Sequence, residues 1–270
     1  MKISFIGGGN MAQALISGLQ KHDFMMQDIH VIELDDYKRQ QLQATFGVQA
    51  SADLINIASS DIIVLAVKPQ QLKAVANAIT PYLNKHCVIS IAAGVRLVDL
   101  SRWLNNHPAI VRSMPNTPAQ IQAGVTALCA MPAVTKEQIA QTDQILSAVG
   151  KTIWLDDESK LDAVTAISGS GPAYVFYLIE ALQLAALELG LNAAEAQLLS
   201  LQTFAGASLL ATNSDNDVAT LRAQVTSKGG TTEQGILSLE NAQVKTAIIQ
   251  AAKAAAARSV ELGDFLSQSE

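Results

Sequence analysis

Residues 2–21 read KISFIGGGNMAQALISGLQK. KISFI has the apolar, β-branched character of a strand, and NMAQALISGLQK has the pattern of a helix. Between them Gly7, Gly9 and Ala12 match G-x-G-x-x-G/A. In that fingerprint the first glycine makes a tight turn and the second lets a pyrophosphate approach the backbone. The alanine permits close packing of helix on strand, and the helix N-terminus faces the phosphates. Asn10 and Met11 open that helix, so Gly7, Gly9, Asn10, Met11 and Ala12 are the expected cofactor-binding residues here. Glu33 follows about twenty residues later at the end of a second strand, where an acidic side chain reaches a ribose. Alone, so short a match also describes an ordinary strand-to-helix turn; its place at the start of an alternating pattern favours dinucleotide binding.

That alternation continues. IHVIE, DIIVLAV, CVISIAA, AIVRSMP, VTALCAM and KTIWL read as strands. DYKRQQLQATF, PQQLKAVANAI, a run near LVDLSRWL and a stretch at 135–148 read as helices, Pro69 being favourable at a first helical position. Near-continuous apolar strands alternating with helices predict a doubly wound α/β domain with both faces of its sheet covered. Ligands of such sheets sit outside the carboxyl ends of strands. Two further loops fall there: Val67, Lys68 and Pro69, and Ala92, Ala93 and Gly94. Their small residues leave room for a cofactor, and plain turns would look the same. In MPNTP, residues 114–118, two prolines fix the backbone around Asn116 and Thr117, whose polar groups are free to face a substrate.

Near Trp154 the pattern changes. LDDESK reads as a charged, solvent-facing joint, and beyond it only helices are expected, at 160–168, 172–190, 193–212, 217–226, 231–241 and 243–267. The domains are therefore drawn at 1–157 and 158–270. The 270 residues are 49% hydrophobic and 16% charged with a net charge of −6, a globular composition. No dense basic stripe points to nucleic acid or an anionic membrane. Cys87 and Cys129 lie in apolar runs and read as buried thiols of a reducing cytosol. The four histidines lack metal-ligand spacing, so no metal is expected. The N-terminus has no secretory pattern, and YVFYLIEALQLAALELG, residues 174–190, carries Glu180 and Glu188 and reads as a buried amphipathic helix. A cytoplasmic protein follows.

Residues 225–236, VTSKGGTTEQGI, interrupt the helical half with hydroxyls and two adjacent glycines. Thr231 and Gln234 have capping-box spacing, so a helix begins at or just after Thr231. Gly229 and Gly230 before it allow unusual backbone angles and expose consecutive N–H groups, while Ser227, Thr231 and Thr232 add donors without bulk. The whole reads as a small anion site, or otherwise as a capped turn between helices.

Taken together, FIGGGNMAQALISGL, AVKPQ, SIAAGV, RSMPNTPA, ISGSGPAYVFYLIEAL and VTSKGGTTEQGI resemble pyrroline-5-carboxylate reductase along essentially the whole chain and in order. The resemblance implies a Rossmann domain followed by an all-helical dimerisation domain. It implies NADPH or NADH as cofactor, hydride transfer to a cyclic imine giving L-proline, and a homo-oligomer, a dimer or a multiple of dimers. It assigns the imine's carboxylate to Ser227, Gly229, Gly230 and Thr231, places Thr232 near the ring nitrogen as the candidate catalytic residue, and adds Asn116 to the substrate side. Two departures stand out. The family usually has proline where this chain has Lys228, a residue that is either solvated or draws in the anionic substrate. Many members carry an "NR"-like run where this chain has Glu33, Leu34 and Asp35; Lys38 and Arg39 follow and can swing toward a phosphate. SGSGPAY, residues 168–174, is expected to break a helix and restart it with Ser170 as cap, for packing or for substrate contact. Two rivals remain. A 3-hydroxyacid-type dehydrogenase needs a catalytic lysine after the joint, and Lys160 lacks its context. A non-catalytic dinucleotide-binding protein has no use for the GGTT loop.

Overall fold

The computed structural model describes residues 1–268. The chain divides into two compact units, Met1–Ser170 together with the chain from Lys253 onward, and Gly171–Ala252.

In chain order the first unit contains β1 (Ile3–Ile6), α1 (Asn10–Lys21), β2 (Ile29–Ile32), α2 (Asp36–Phe46), β3 (Gln49–Ser51), β4 (Ile62–Leu65), α3 (Pro69–Ile79), β5 (Cys87–Ser90), α4 (Leu97–Trp103), β6 (Ile110–Met114), β7 (Gly124–Ala130), α5 (Lys136–Ser147), β8 (Gly150–Trp154) and α6 (Lys160–Val164). The eight strands form one sheet in the order β3-β2-β1-β4-β5-β6-β7-β8. Crossovers in both directions from β1 make it doubly wound, as the alternating pattern predicts. In β4, Ile62 and Val64 enter the core that holds Leu15 and Leu19 of α1. Ile63 and Leu65 enter the core on the other face, with Leu72 and Ile79 of α3. Successive side chains point to opposite faces, so a strand covered on both must be apolar throughout.

Two features depart from the sequence reading. β3 is a polar, three-residue strand paired only with β2 at the sheet edge. Nothing in Gln-Ala-Ser marks a strand; the open edge of β2 recruits it. β7 runs antiparallel to β6 because residues 115–123 are too few for a crossover connection. β8 then returns parallel to β7 after α5.

The joint is less exposed than its charges suggest. Arg112, buried in β6, donates from Nη1 to Glu158 Oε1 at 2.8 Å, and its Nη2 lies 3.8 Å from Asp162. Glu158 Oε1 also accepts from the Leu97 amide at 2.7 Å. Asp156 and Asp157 do face solvent, but Glu158 turns inward, a correction that follows from the cost of leaving a buried guanidinium unpaired. α6 runs into one π-helical turn, Thr165–Gly169. There the Ser170 amide donates to Thr165 O at 2.8 Å, five residues back. Ser170 has helical backbone angles, not the extended ones of an N-cap, so the expected break is a bulge within a continuing helix.

The second unit holds α7 (Gly171–Glu188), α8 (Ala193–Thr212), α9 (Val218–Gln224), α10 (Thr231–Asn241) and the start of α11 (Val244–Gln268). No residue of α7 is buried. Phe176, Tyr177 and Leu184 are more than half exposed, and Leu198, Leu209 and Leu210 of α8 likewise. α7 packs on α8, yet the burial expected of so apolar a helix is not completed within one subunit. Faces of this kind are hidden in assemblies. The end of α11 behaves differently, for Ser259, Gly263 and Leu266 are buried in the first unit. There Ser259 Oγ donates to Asp162 at 2.6 Å and Arg96 pairs with Asp264 at 2.6 Å. Among the described residues no helix is long and apolar enough to cross a membrane.

Candidate dinucleotide site and anion-binding helix terminus

The glycine turn follows β1 at the carboxyl edge of the parallel strands. Gly7 has φ +98°, and a Cβ there would stand 2.8 Å from Ala66 O. Only glycine takes that angle with the β4 loop so near. Gly9 is the N-cap of α1, with φ −71° and ψ −179° and no side-chain cap bond. A Cβ at Gly9 meets no heavy atom within 4 Å, so the space above it is open. The amides of Asn10, Met11 and Ala12 begin α1 without acceptors within the helix. Ala12 is fully buried against the sheet. The local design is thus a bare, positively polarised helix end facing open space, which suits an anion.

That space is part of a cavity of about 590 Å³ lined by Gly7, Gly9, Glu33, Val67 and Lys68 together with apolar Leu54, Val75 and Ala78. Glu33, just past β2, is held firmly. Its Oε2 accepts from the Gly8 amide at 3.0 Å and its Oε1 from the Asp35 amide at 3.1 Å. The carboxylate therefore braces the glycine turn as well as facing the cavity. Arg39 is consumed locally. Its Nη1 donates to the carbonyls of Glu33 and Leu34 at 2.7 and 2.8 Å, and its Nη2 pairs with Asp36. The expectation that Arg39 swings toward a phosphate is therefore corrected. Lys38, in the first turn of α2, lines the cavity instead.

Lys68 caps α3 and Pro69 takes its first position. Ala92 and Gly94 follow β5; Gly94 has φ +79° and lies against Leu262 and Gly263 of α11. Ala92, Ala93 and Gly94 do not line the cavity. Asn116 is partly committed, its Oδ1 accepting from the Val125 amide at 2.9 Å to fix the start of β7. The apolar lining from α3 was not singled out by sequence, because nothing distinguishes Val75 or Ala78 from core positions of any helix.

In the second unit the GGTT loop forms the N-terminus of α10, which starts at Thr231 as its spacing predicts. The capping box is not formed. Gly230 is the N-cap, in extended conformation, without a side-chain cap bond. Nor are the two glycine amides bare. Gly230 donates to Ser227 O at 3.0 Å, and Gly229 donates to Glu233 Oε2 at 2.8 Å. With the N-cap one residue earlier, Glu233 and not Gln234 holds the third helical position and reaches back. The amides without intrahelical acceptors are those of Thr231, Thr232 and Glu233. Gly229 has φ +74°, which explains its glycine. The Thr231 and Thr232 hydroxyls are exposed beside these amides, so the donor set survives, displaced by one turn position. Ser227 Oγ would stand 2.5 Å from a Cβ at Gly230, so that glycine leaves room for the serine.

Both halves of the chain match known protein families. A family model for pyrroline-5-carboxylate reductase dimerisation matches residues 158–262. One for NADP oxidoreductase, coenzyme F420-dependent, matches residues 2–94. The pyrroline-5-carboxylate reductase of Pseudomonas aeruginosa is 42% identical over 269 residues, 99% of this chain and 98% of that protein. That of Synechocystis is 42% identical over 265 residues, 97% of this chain and 98% of that protein. Among solved structures, a pyrroline-5-carboxylate reductase from Coxiella burnetii superposes with a TM-score of 0.92 at 41% identity, covering 97% of this chain and 98% of the other. The Plasmodium falciparum pyrroline carboxylate reductase, solved with NADP bound, gives 0.88 at 30% identity, with 97% and 98% covered.

Proposed function

This chain belongs to the pyrroline-5-carboxylate reductase family, and we propose that it reduces the C=N bond of 1-pyrroline-5-carboxylate to L-proline at the two sites described. The observation that carries the reading is the full-length relationship at 42% identity. Open space above Gly9 at the mouth of a dinucleotide-sized cavity supports it.

The cofactor is NADPH or NADH, which supplies the hydride when bound. We assign its diphosphate to the amides of Asn10, Met11 and Ala12, with Gly7 and Gly9 keeping side chains out of the way. Its adenine lies among Leu54, Val75 and Ala78, and its ribose beside Glu33. Val67 and Lys68 add to the lining with Pro69 starting the helix behind them, and Ala92, Ala93 and Gly94 keep the next loop small. The substrate's carboxylate binds the amides of Thr231 and Thr232 with the hydroxyls of Ser227, Thr231 and Thr232, in the loop shaped by Gly229 and Gly230. Thr232 positions the ring nitrogen, and the free amide nitrogen of Asn116 serves the substrate side. A protonated imine is already electrophilic, so the chain's task is orientation, and holding reactants in line is itself a large part of a barrier. The domain division we adopt is 1–157 for the dinucleotide and 158–270 for dimerisation and substrate. The subunit is one of a homo-oligomer, whose second copy covers the apolar faces of α7 and α8. Buried, unpaired Cys87 and Cys129 suit a reducing cytoplasm.

The test is direct. Purified protein mixed with pyrroline-5-carboxylate and either reduced nicotinamide should deplete nicotinamide absorbance and yield proline in equal amount. Absence of turnover with both cofactors would leave only a dinucleotide-binding role.

A further inference from the structure

Within the dinucleotide reading, the cavity also says which side chain sets cofactor choice. The two nicotinamide dinucleotides differ by one phosphate, on the 2′-oxygen of the adenosine ribose. Wherever Glu33 faces that ribose, a second anion meets a carboxylate, and like charges at close range are unfavourable. Glu33 cannot simply turn aside, because leaving its position breaks the bonds to both the Gly8 and Asp35 amides. Admission of a 2′-phosphate therefore needs a cation on the same wall.

Among the described residues, Lys38 and Lys68 line this cavity and Arg39 adjoins Glu33, and two of these three cations are unsuitable. The Arg39 guanidinium is occupied by two carbonyl oxygens and by Asp36, and only 18% of its side-chain surface is exposed. Lys68 is the N-cap of α3, beside Val67, which packs next to Gly7 of the glycine turn. It serves the diphosphate end that both cofactors share. Lys38 is the remaining one. It projects from the first turn of α2, lines the same cavity as Glu33 and Leu34, and its ammonium has no partner among the described residues. Its amide donates to Asp35 Oδ1 at 3.1 Å, which fixes the root of the side chain. A lysine is a compact charge on a flexible stem and can meet a phosphate without planar geometry.

We propose that Lys38, and not Arg39, admits the 2′-phosphate of NADPH to a cavity that Glu33 otherwise biases toward NADH.

Binding separates this from turnover. Adenosine 2′,5′-bisphosphate and adenosine 5′-monophosphate are titrated into the full-length protein by calorimetry, for the unmodified chain, Lys38→Met, Lys38→Arg and Arg39→Met. The kcat/KM ratio of NADPH to NADH is measured on the same samples. Losing a hydrogen bond between charged groups amounts to about tenfold or more. Lys38→Met is expected to lower the affinity ratio of bisphosphate to monophosphate, and the NADPH to NADH ratio, by about that factor. Lys38→Arg, which keeps a cation there, should recover most of it. An unchanged ratio in Lys38→Met overturns the proposal, as does a fall produced by Arg39→Met alone. Gly9→Ala is the control for the cavity. If it leaves the binding of both nucleotides and both cofactors intact, the dinucleotide reading fails too. If it abolishes binding while the Lys38 variants leave the ratio unmoved, only the present proposal falls.

Discussion

Gly7 and Gly9 are two residues apart, and alanine at each should fail in opposite ways. At Gly7 the alanine would have to hold φ +98° with its methyl 2.8 Å from Ala66 O. Strain of that kind costs about 1–3 kcal/mol before any clash is counted. At about 2–4 °C per kcal/mol for a protein of this size, the melting temperature should fall by several degrees. At Gly9 the backbone is extended at ψ −179°, open to any residue, and the added methyl touches nothing within 4 Å. The folded state loses nothing there. The unfolded chain loses freedom, so stability should hold or rise by about 0.4–1 kcal/mol. The methyl does, however, stand where a diphosphate must come to reach the α1 amides. Losing two charge-assisted hydrogen bonds at about 1.5–3 kcal/mol each weakens the dinucleotide by two decades or more. Thermal unfolding and quenching of protein fluorescence by NADH and NADPH, run on both variants, test the pair. A Gly9→Ala protein that binds both cofactors within about threefold of the original would refute the placement of the diphosphate.

Thr232→Ala should lower kcat/KM for the imine by about one to two decades, with the KM for NADH little changed; unaltered imine kinetics would remove α10 from the site. In the same loop Glu233→Ala frees the Gly229 amide, whereas Glu233→Gln keeps an acceptor and removes a negative charge from beside the anion donors. The imine KM should therefore be lowest for the glutamine variant, and the reverse order would contradict the reading. Arg112→Met strands Glu158 and Asp162 in a partly buried setting and should cost about 3 kcal/mol in urea unfolding, the low end of the range for a broken buried pair; a loss under about 1 kcal/mol would mean that water satisfies both carboxylates. Burial pushes the Cys87 thiol up to about 11, so the reactive thiolate is scarce in the folded protein until the pH approaches that value. A thiol reagent at pH 8 should label it only after denaturant is added, and rapid labelling of the folded chain would show that β5 opens.

Elements whose signal is local were legible in the sequence. Pro69 at the head of α3, the glycine turn after β1 and the start of α10 at Thr231 each depend on residues within one turn of the feature. What stayed hidden depends on partners distant in sequence or on an offset of one residue. β3 exists because β2 offers an open edge. Glu158 turns inward because Arg112, on a strand more than forty residues earlier, is buried beneath it. The choice of Gly230 over Thr231 as N-cap moves the reaching carboxylate from Gln234 to Glu233, and spacing rules alone do not fix which of two adjacent residues is extended. Arg39 and Lys38 are neighbours of similar charge, and the carbonyls of Glu33 and Leu34 together with Asp36 decide which of them is spent.

On the reading above, this chain delivers hydride from a nicotinamide to the carbon of a C=N bond. Reaction with NADH deuterated at the transferred position of its nicotinamide ring, in ordinary water, follows that hydride. Mass spectrometry and NMR of the product should find proline with one deuterium, on the ring carbon beside nitrogen that was the imine carbon. Proline without deuterium, or cofactor consumed with the label released to water, would exclude direct hydride transfer to that carbon.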